Sequence, residues 1–158
     1  MKRIFQIATV IASVLIIFSS CSVVSKTAGV DRSRFVGTWT VTGVTYEGII
    51  GAAVQKAFDQ APPTAFAGST WQLTNSGNGV YTLTDGTSQS IYWSYYNPGG
   101  GVEPQFQFKK VYQGDKLKNI DSGYRLVIGS IDGSSMVLKS PIDLNGKTGY
   151  VVYSFNKK

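Results

Sequence analysis

From Phe35 to the C-terminal lysines, apolar and polar residues alternate in short runs separated by turn residues. The run Phe35-Val-Gly-Thr-Trp-Thr-Val-Thr-Gly-Val-Thr-Tyr46 sets the pattern. Trp39, Val41 and Gly43 fall on one face and Thr38, Thr40 and Thr42 on the other, the period of two expected of a half-buried strand. Gly43 predicts a bulge or bend partway along it. Seven further runs follow, over residues 69–75, 80–84, 89–97, 104–112, 123–131, 135–140 and 148–156. Turn signals part them, among them Asp85-Gly86, Pro98-Gly-Gly-Gly101, Asp132-Gly133 and Asn145-Gly146, and Asp-Gly and Asn-Gly are strong hairpin signals. The pattern predicts an all-β domain, an antiparallel up-and-down barrel of about eight strands. Closure removes sheet edges, and a barrel of this size is either filled by side chains or holds one small ligand.

One stretch departs from the period of two. Ile49, Ile50, Ala53, Val54, Ala57 and Phe58 recur at helical spacing, with Gln55, Lys56 and Asp59 turned outward. This predicts one short helix after the first strand, ended by Pro62-Pro63. Its apolar face is expected to cover an open end of the barrel.

Strand parity points Trp71, Trp93, Phe106, Phe108 and Tyr124 inward. They either interlock as a solid core or line a pocket for a small apolar or amphipathic ligand, and the pattern alone leaves both open. The run Tyr92-Trp93-Ser-Tyr95-Tyr96 carries aromatics on both faces. Its outward pair, Tyr92 and Tyr96, either covers the sheet or forms an exposed platform for a glycan or protein, because Tyr joins contact area to a polar tip. That gives two functional readings, a ligand-binding barrel and, as the alternative, a solid barrel acting through its surface.

The first thirty residues have a different character. Met1-Lys-Arg3 is followed by a nearly unbroken apolar run from Ile4 to Phe18, the length of a secretory h-region and short of the ~20 residues of a membrane span. Residues 1–20 are therefore expected to be a signal peptide. The junction Phe18-Ser-Ser-Cys21 resembles the lipobox of bacterial lipoproteins. That resemblance implies cleavage before Cys21 and acylation of its sulfur and new amine. Residues 21–34 then read as the lipidated cysteine and a polar tether, and residues 35–158 as the barrel domain. Ser22 is not the Asp that resembles an inner-membrane retention signal, so the implied address is the outer membrane, facing the periplasm.

Composition narrows the chemistry. Charged residues make up only 15% of the chain, and the formal charge of +6 falls to +4 without Lys2 and Arg3. No basic stripe is present, so no nucleic-acid partner is expected. The chain has no His, and Cys21 is its only Cys, which removes most nucleophile–base pairs and zinc sites. The acids fall mostly in turns, where Asp supports turn geometry. No catalytic residue, metal or cofactor is expected, and the chain does not read as an enzyme.

A second resemblance lies in the domain itself. Gly37-Thr-Trp39, on the first strand just after a leader, resembles the Gly-x-Trp motif of the lipocalins. Together with Gly68-Ser-Thr-Trp71-Gln-Leu and Gly123-Tyr-Arg-Leu, it makes the chain similar to lipocalin-like lipoproteins of Gram-negative bacteria. The resemblance implies that Gly37 and Trp39 plug the closed end of an eight-stranded barrel that binds small apolar molecules. Lipocalins also carry an Arg across that Trp, and here no Arg follows the last strand.

Overall fold

The computed structural model describes residues 29–116 and 122–158. Residues 1–20, expected to be a signal peptide, Cys21 and the expected tether as far as residue 28 lie outside the described residues. The chain forms a closed barrel of eight antiparallel strands, each paired with its neighbours in sequence. They are β1 (Gly37–Glu47), β2 (Thr70–Leu73), β3 (Asn78–Thr82), β4 (Ser88–Tyr96), β5 (Gln105–Lys110), β6 (Tyr124–Ile131), β7 (Ser135–Leu144) and β8 (Lys147–Lys157). The last strand returns to the first, with Trp39 opposite Lys157 and Glu47 opposite Tyr150. The register shifts between Val41 and Gly43, the bulge that Gly43 predicts. The β7–β8 hairpin turns on Asn145 and Gly146, both at positive φ, as a two-residue type I′ loop requires.

Strand parity decides what lies inside. Trp39, Trp71, Tyr81, Trp93, Phe106 and Phe108 are buried, while Thr40, Gln72, Gln107, Lys109, Arg125 and Lys139 lie on the outer face. An apolar interior within a polar exterior is the reverse of a membrane-spanning barrel. Among the described residues, no helix is long and apolar enough to cross a membrane.

One end is sealed by the chain entering it. A 3-10 helix, Arg32–Phe35, precedes β1 and is capped by the Asp31 side chain. The folded part therefore starts before Phe35. The Phe35 ring is fully buried against Trp93, Tyr95 and Phe106, and its carbonyl accepts the Trp39 indole N–H at 2.8 Å. Across the Trp39 ring lies a cation after all, the Lys157 ammonium 5.2 Å from the centroid. Gly37 makes room for it. Its φ is +139°, and a Cβ there would come within 2.6 Å of the Lys157 side chain.

The segment between β1 and β2 differs from the helix expected of it. Residues 51–53 make a single 3-10 turn, and Ala57 and Ala61 then close a tight turn through a β-bridge. Val54, Ala57 and Phe58 are buried as their spacing suggests, but Ile50 is 78% exposed. Gly48 and Gly51 at the expected start weaken a helix, and no side chain caps the turn at Ile50. The segment also places Phe58 inward and the next two side chains on the barrel rim, which a helix rotating 100° per residue cannot do.

The Asp132 carboxylate accepts from the backbone and side chains of Ser134 and Ser135 in the β6–β7 turn. These bonds, the Ser134 backbone N–H foremost, hold Asp132 well below the usual carboxylate range. Its folded-state pKa is depressed, so its contribution is fully present above the unfolded-state value of about 4 and is lost as pH falls below it. Asp132→Ala is expected to lower the melting temperature at pH 7, with the gap to the parent protein closing progressively below about pH 4. Thermal melts between pH 2.5 and 7 check this, and a pH-independent gap would show that the carboxylate's charge is irrelevant.

Candidate functional site

The five residues expected to meet a ligand do share the barrel interior, in two layers. Near the sealed end Trp93 stacks on Phe106, with centroids 5.7 Å apart, and both abut Phe35. Towards the other end, Trp71 meets Phe108 edge-on at 5.5 Å, and Phe108 meets Tyr124 at 5.1 Å. Phe106 and Phe108, two apart on β5, join the layers. Trp71, Trp93, Phe106 and Phe108 are buried, and Tyr124 is half-buried at the rim.

The centre of the upper layer is a residue that no strand carries. Phe58 projects from the β1–β2 segment into the barrel mouth, 5% exposed. Its ring lies 5.1 Å from Phe66, 6.2 Å from Trp71, 5.1 Å from Phe108, 5.3 Å from Tyr124 and 5.5 Å from Tyr153. Edge-to-face contacts of this kind are favourable at ~0.5–1.5 kcal/mol each beyond burial. The backbone bends to place it. Phe58 and Asp59 have φ of 52° and 49°, a left-handed conformation that costs an L-residue about 1–2 kcal/mol.

Polar groups on the rim hold this segment. Tyr124 donates to the Asp59 carboxylate at 2.7 Å, and Lys110 donates to the Asp59 carbonyl at 3.3 Å. Tyr81 donates to the Gln60 side-chain oxygen at 2.6 Å. Burial pushes the Tyr81, Tyr124 and Tyr153 hydroxyls above the usual phenol range, and for Tyr124 the bond to Asp59 adds to the effect. All three therefore remain donors at neutral pH. Burial also lowers Lys110, against the opposing pull of Asp59. The Tyr153 hydroxyl is buried yet has no hydrogen-bond partner among the described residues, a cost of about 1–3 kcal/mol.

Two clefts meet at Asp59 and Tyr124. The larger, about 520 Å³, is lined by Lys109, Lys110, Tyr112, Asp115 and Lys116. The smaller, about 210 Å³, runs beside Phe58 between Val54, Ile142, Val151 and Tyr153.

Phe58, Asp59, Tyr81, Lys110 and Tyr153 were not among the sequence candidates. Parity places Tyr81 and Tyr153 inside, but the partner of the Tyr81 hydroxyl, Gln60, lies on a loop whose path no period encodes. Tyr92 and Tyr96 do lie on the outer face, half-buried. The Arg125 guanidinium covers Tyr96 at 4.8 Å, and Tyr92 packs where a Cβ on Gly77 would touch its ring. Each ring is thus covered in part by its neighbours.

No protein-family model matches the sequence, and no curated protein matches it. Among solved structures, apocrustacyanin C2 is similar at 15% identity and a TM-score of 0.40, over 79% of this chain and 61% of that one. The chain thus spans less than two thirds of the length of that protein.

Truncating Phe58 tests its place. Phe58→Ala is expected to cost about 3 kcal/mol, the lower part of the range for a buried ring. Phe58→Gly should be at least as stable as Phe58→Ala, reversing the usual order, because only glycine adopts left-handed φ without strain. Urea unfolding of both variants checks this. A glycine variant weaker by ~1 kcal/mol would show that the left-handed backbone is not maintained.

Proposed function

We propose that this protein is a lipocalin-like binding barrel that takes a small apolar or amphipathic molecule at its mouth, in the volume now held by Phe58. The observation that carries this reading is Phe58 itself. Its ring sits among five aromatic rings, yet it is borne on a strained loop instead of the barrel wall. Trp71, Phe108, Tyr124 and Tyr153 would be the contact surface, with Trp93 and Phe106 as the floor beneath. The occupied mouth is then the closed, ligand-free form.

Magnitudes set the scale. Burying 200–300 Å² of ligand yields a gross ~5–7 kcal/mol at ~25 cal/mol per Å². Displacing Phe58 forfeits about 2–3 kcal/mol of burial, of which release of the left-handed backbone returns about 1–2. The net corresponds to affinities of tens of micromolar or weaker. Binding, not catalysis, is the activity proposed. Asp31, Asp85 and Asp132 spend their carboxylates on the N–H groups of their own turns.

On the lipobox resemblance, we place the barrel at the outer membrane, held by acyl chains on Cys21 and facing the periplasm. The surface-platform alternative finds less support, since Tyr92 and Tyr96 are engaged by Gly77 and Arg125.

Native mass spectrometry of the protein purified gently from a Gram-negative host is expected to show a bound excess mass that leaves on denaturation. The neutral probe N-phenyl-1-naphthylamine is expected to quench tryptophan fluorescence, more strongly in Phe58→Ala. A bare mass together with no quenching in either protein would overturn the reading.

A further inference from the structure

The Phe58-Asp59-Gln60 segment presents the barrel with an aromatic ring and, beside it, a set of oxygens. The ring fills the apolar pit. The Asp59 carboxylate accepts from Tyr124, the Asp59 carbonyl from Lys110, and the Gln60 side-chain carbonyl from Tyr81. Every one of these bonds runs from a donor on the wall to an acceptor on the loop. We infer that this segment is a built-in surrogate, and that the molecule displacing it carries a carboxylate a few bonds from an apolar or aromatic body. The inference rests on the binding reading above and adds the head group to it.

The donors that would remain support this. With the segment withdrawn, Tyr81, Tyr124 and Lys110 lose their acceptors, and the Tyr153 hydroxyl already has none among the described residues. A purely apolar ligand would leave the buried Tyr81 and Tyr153 hydroxyls unpaired, which is costly. One with oxygens at its end would satisfy them. Charge then selects among oxygen head groups. Lys109, Lys110, Lys116 and Asp115 line the larger cleft, and Lys56 borders the smaller one. Asp59 leaves with the segment. Asp115 is already occupied, accepting the Tyr112 backbone N–H at 2.8 Å. The mouth is thus left with an excess of cations and donors, and a carboxylate at the solvent edge completes the bonds that Asp59 makes now. An ammonium head would meet mostly donors and like charge, with Asp115 as the one carboxylate left lining the larger cleft among the described residues.

Three ligands of matched body separate the possibilities: 6-phenylhexanoate, 6-phenylhexanol and 6-phenylhexylamine, competing against N-phenyl-1-naphthylamine on the purified protein. The carboxylate is expected to compete on the order of tenfold better than the alcohol, the usual margin of a charge-assisted hydrogen bond, with the amine weakest. Tyr124→Phe and Lys110→Gln should each cut that advantage to roughly two- to threefold. Tyr124→Phe keeps its ring against Phe58 and Phe108, and a cooperative urea transition with an unchanged m-value verifies the fold. If acid and alcohol displace the probe equally, the head-group inference falls while the binding barrel stands. If the advantage survives both substitutions, the surrogate assignment falls. If the probe never binds, the binding reading itself falls, and this inference with it.

Discussion

Eight strands closed on themselves enclose a cylinder whose volume is fixed by the strand count, and that volume has to be occupied at close to crystal density. The strand residues fill the middle. The ends also draw on side chains from outside the strands. Phenylalanines from outside the sheet complete them, Phe35 at one end and Phe58 with Phe66 at the other. Phe35 enters from the 3-10 helix before β1, and Phe58 from the segment after it. Both lie in buried aromatic surroundings, but the backbone beneath them differs. Phe35 sits on a regular turn whose carbonyl is tied to Trp39. Phe58 sits on two consecutive left-handed residues. The first end is sealed at little conformational cost, the second under strain.

That asymmetry organises the polar groups as well. The sealed end has cations over aromatic faces, Arg32 over Trp93 and Lys157 over Trp39, with the buried Arg32 Nε and Trp93 Nε1 groups left without an acceptor among the described residues. At the mouth Tyr81, Tyr124 and Lys110 instead reach for oxygen, and they find it on the plug. A rim of phenols and a lysine bonded to a short loop segment is stable while the segment is in place and underserved when it is not, because unpaired buried donors are penalised more heavily than paired ones are rewarded. The Phe58 ring and the Asp59 carboxylate act as one unit for that reason.

Much of this architecture was legible in the chain. Parity placed Trp71, Trp93, Phe106 and Phe108 inside, Gly43 marked a bulge, and Asn145-Gly146 marked a hairpin, because each depends on local geometry with a short sequence period. The β1–β2 segment was half legible. Apolar spacing revealed that it covers an end but suggested a helix, since Val54, Ala57 and Phe58 fit a period of 3.6 as well as they fit an irregular loop drawn over a hole. Asp59 read as a solvent-facing residue, and exposed it is, yet it bonds Tyr124 from 65 positions away. Contacts of that separation have no local signature. Lys157 over Trp39 was hidden for a related reason, because the cation arrives from the last strand as a lysine where the resemblance leads one to look for arginine.

The pairing of β8 with both β1 and β7 also sets a timetable. Residues 147–157 complete two seams of the barrel at once, and until they are available β1 lacks its partner along the edge from Trp39 to Glu47. Contacts between the first strand and the last are the slowest to form, since the whole intervening chain has to be closed into a loop before they are rewarded. A chain emerging amino end first therefore cannot lock into its final form early. It stays open, a form in which the chain can still be threaded, until its last strand is free.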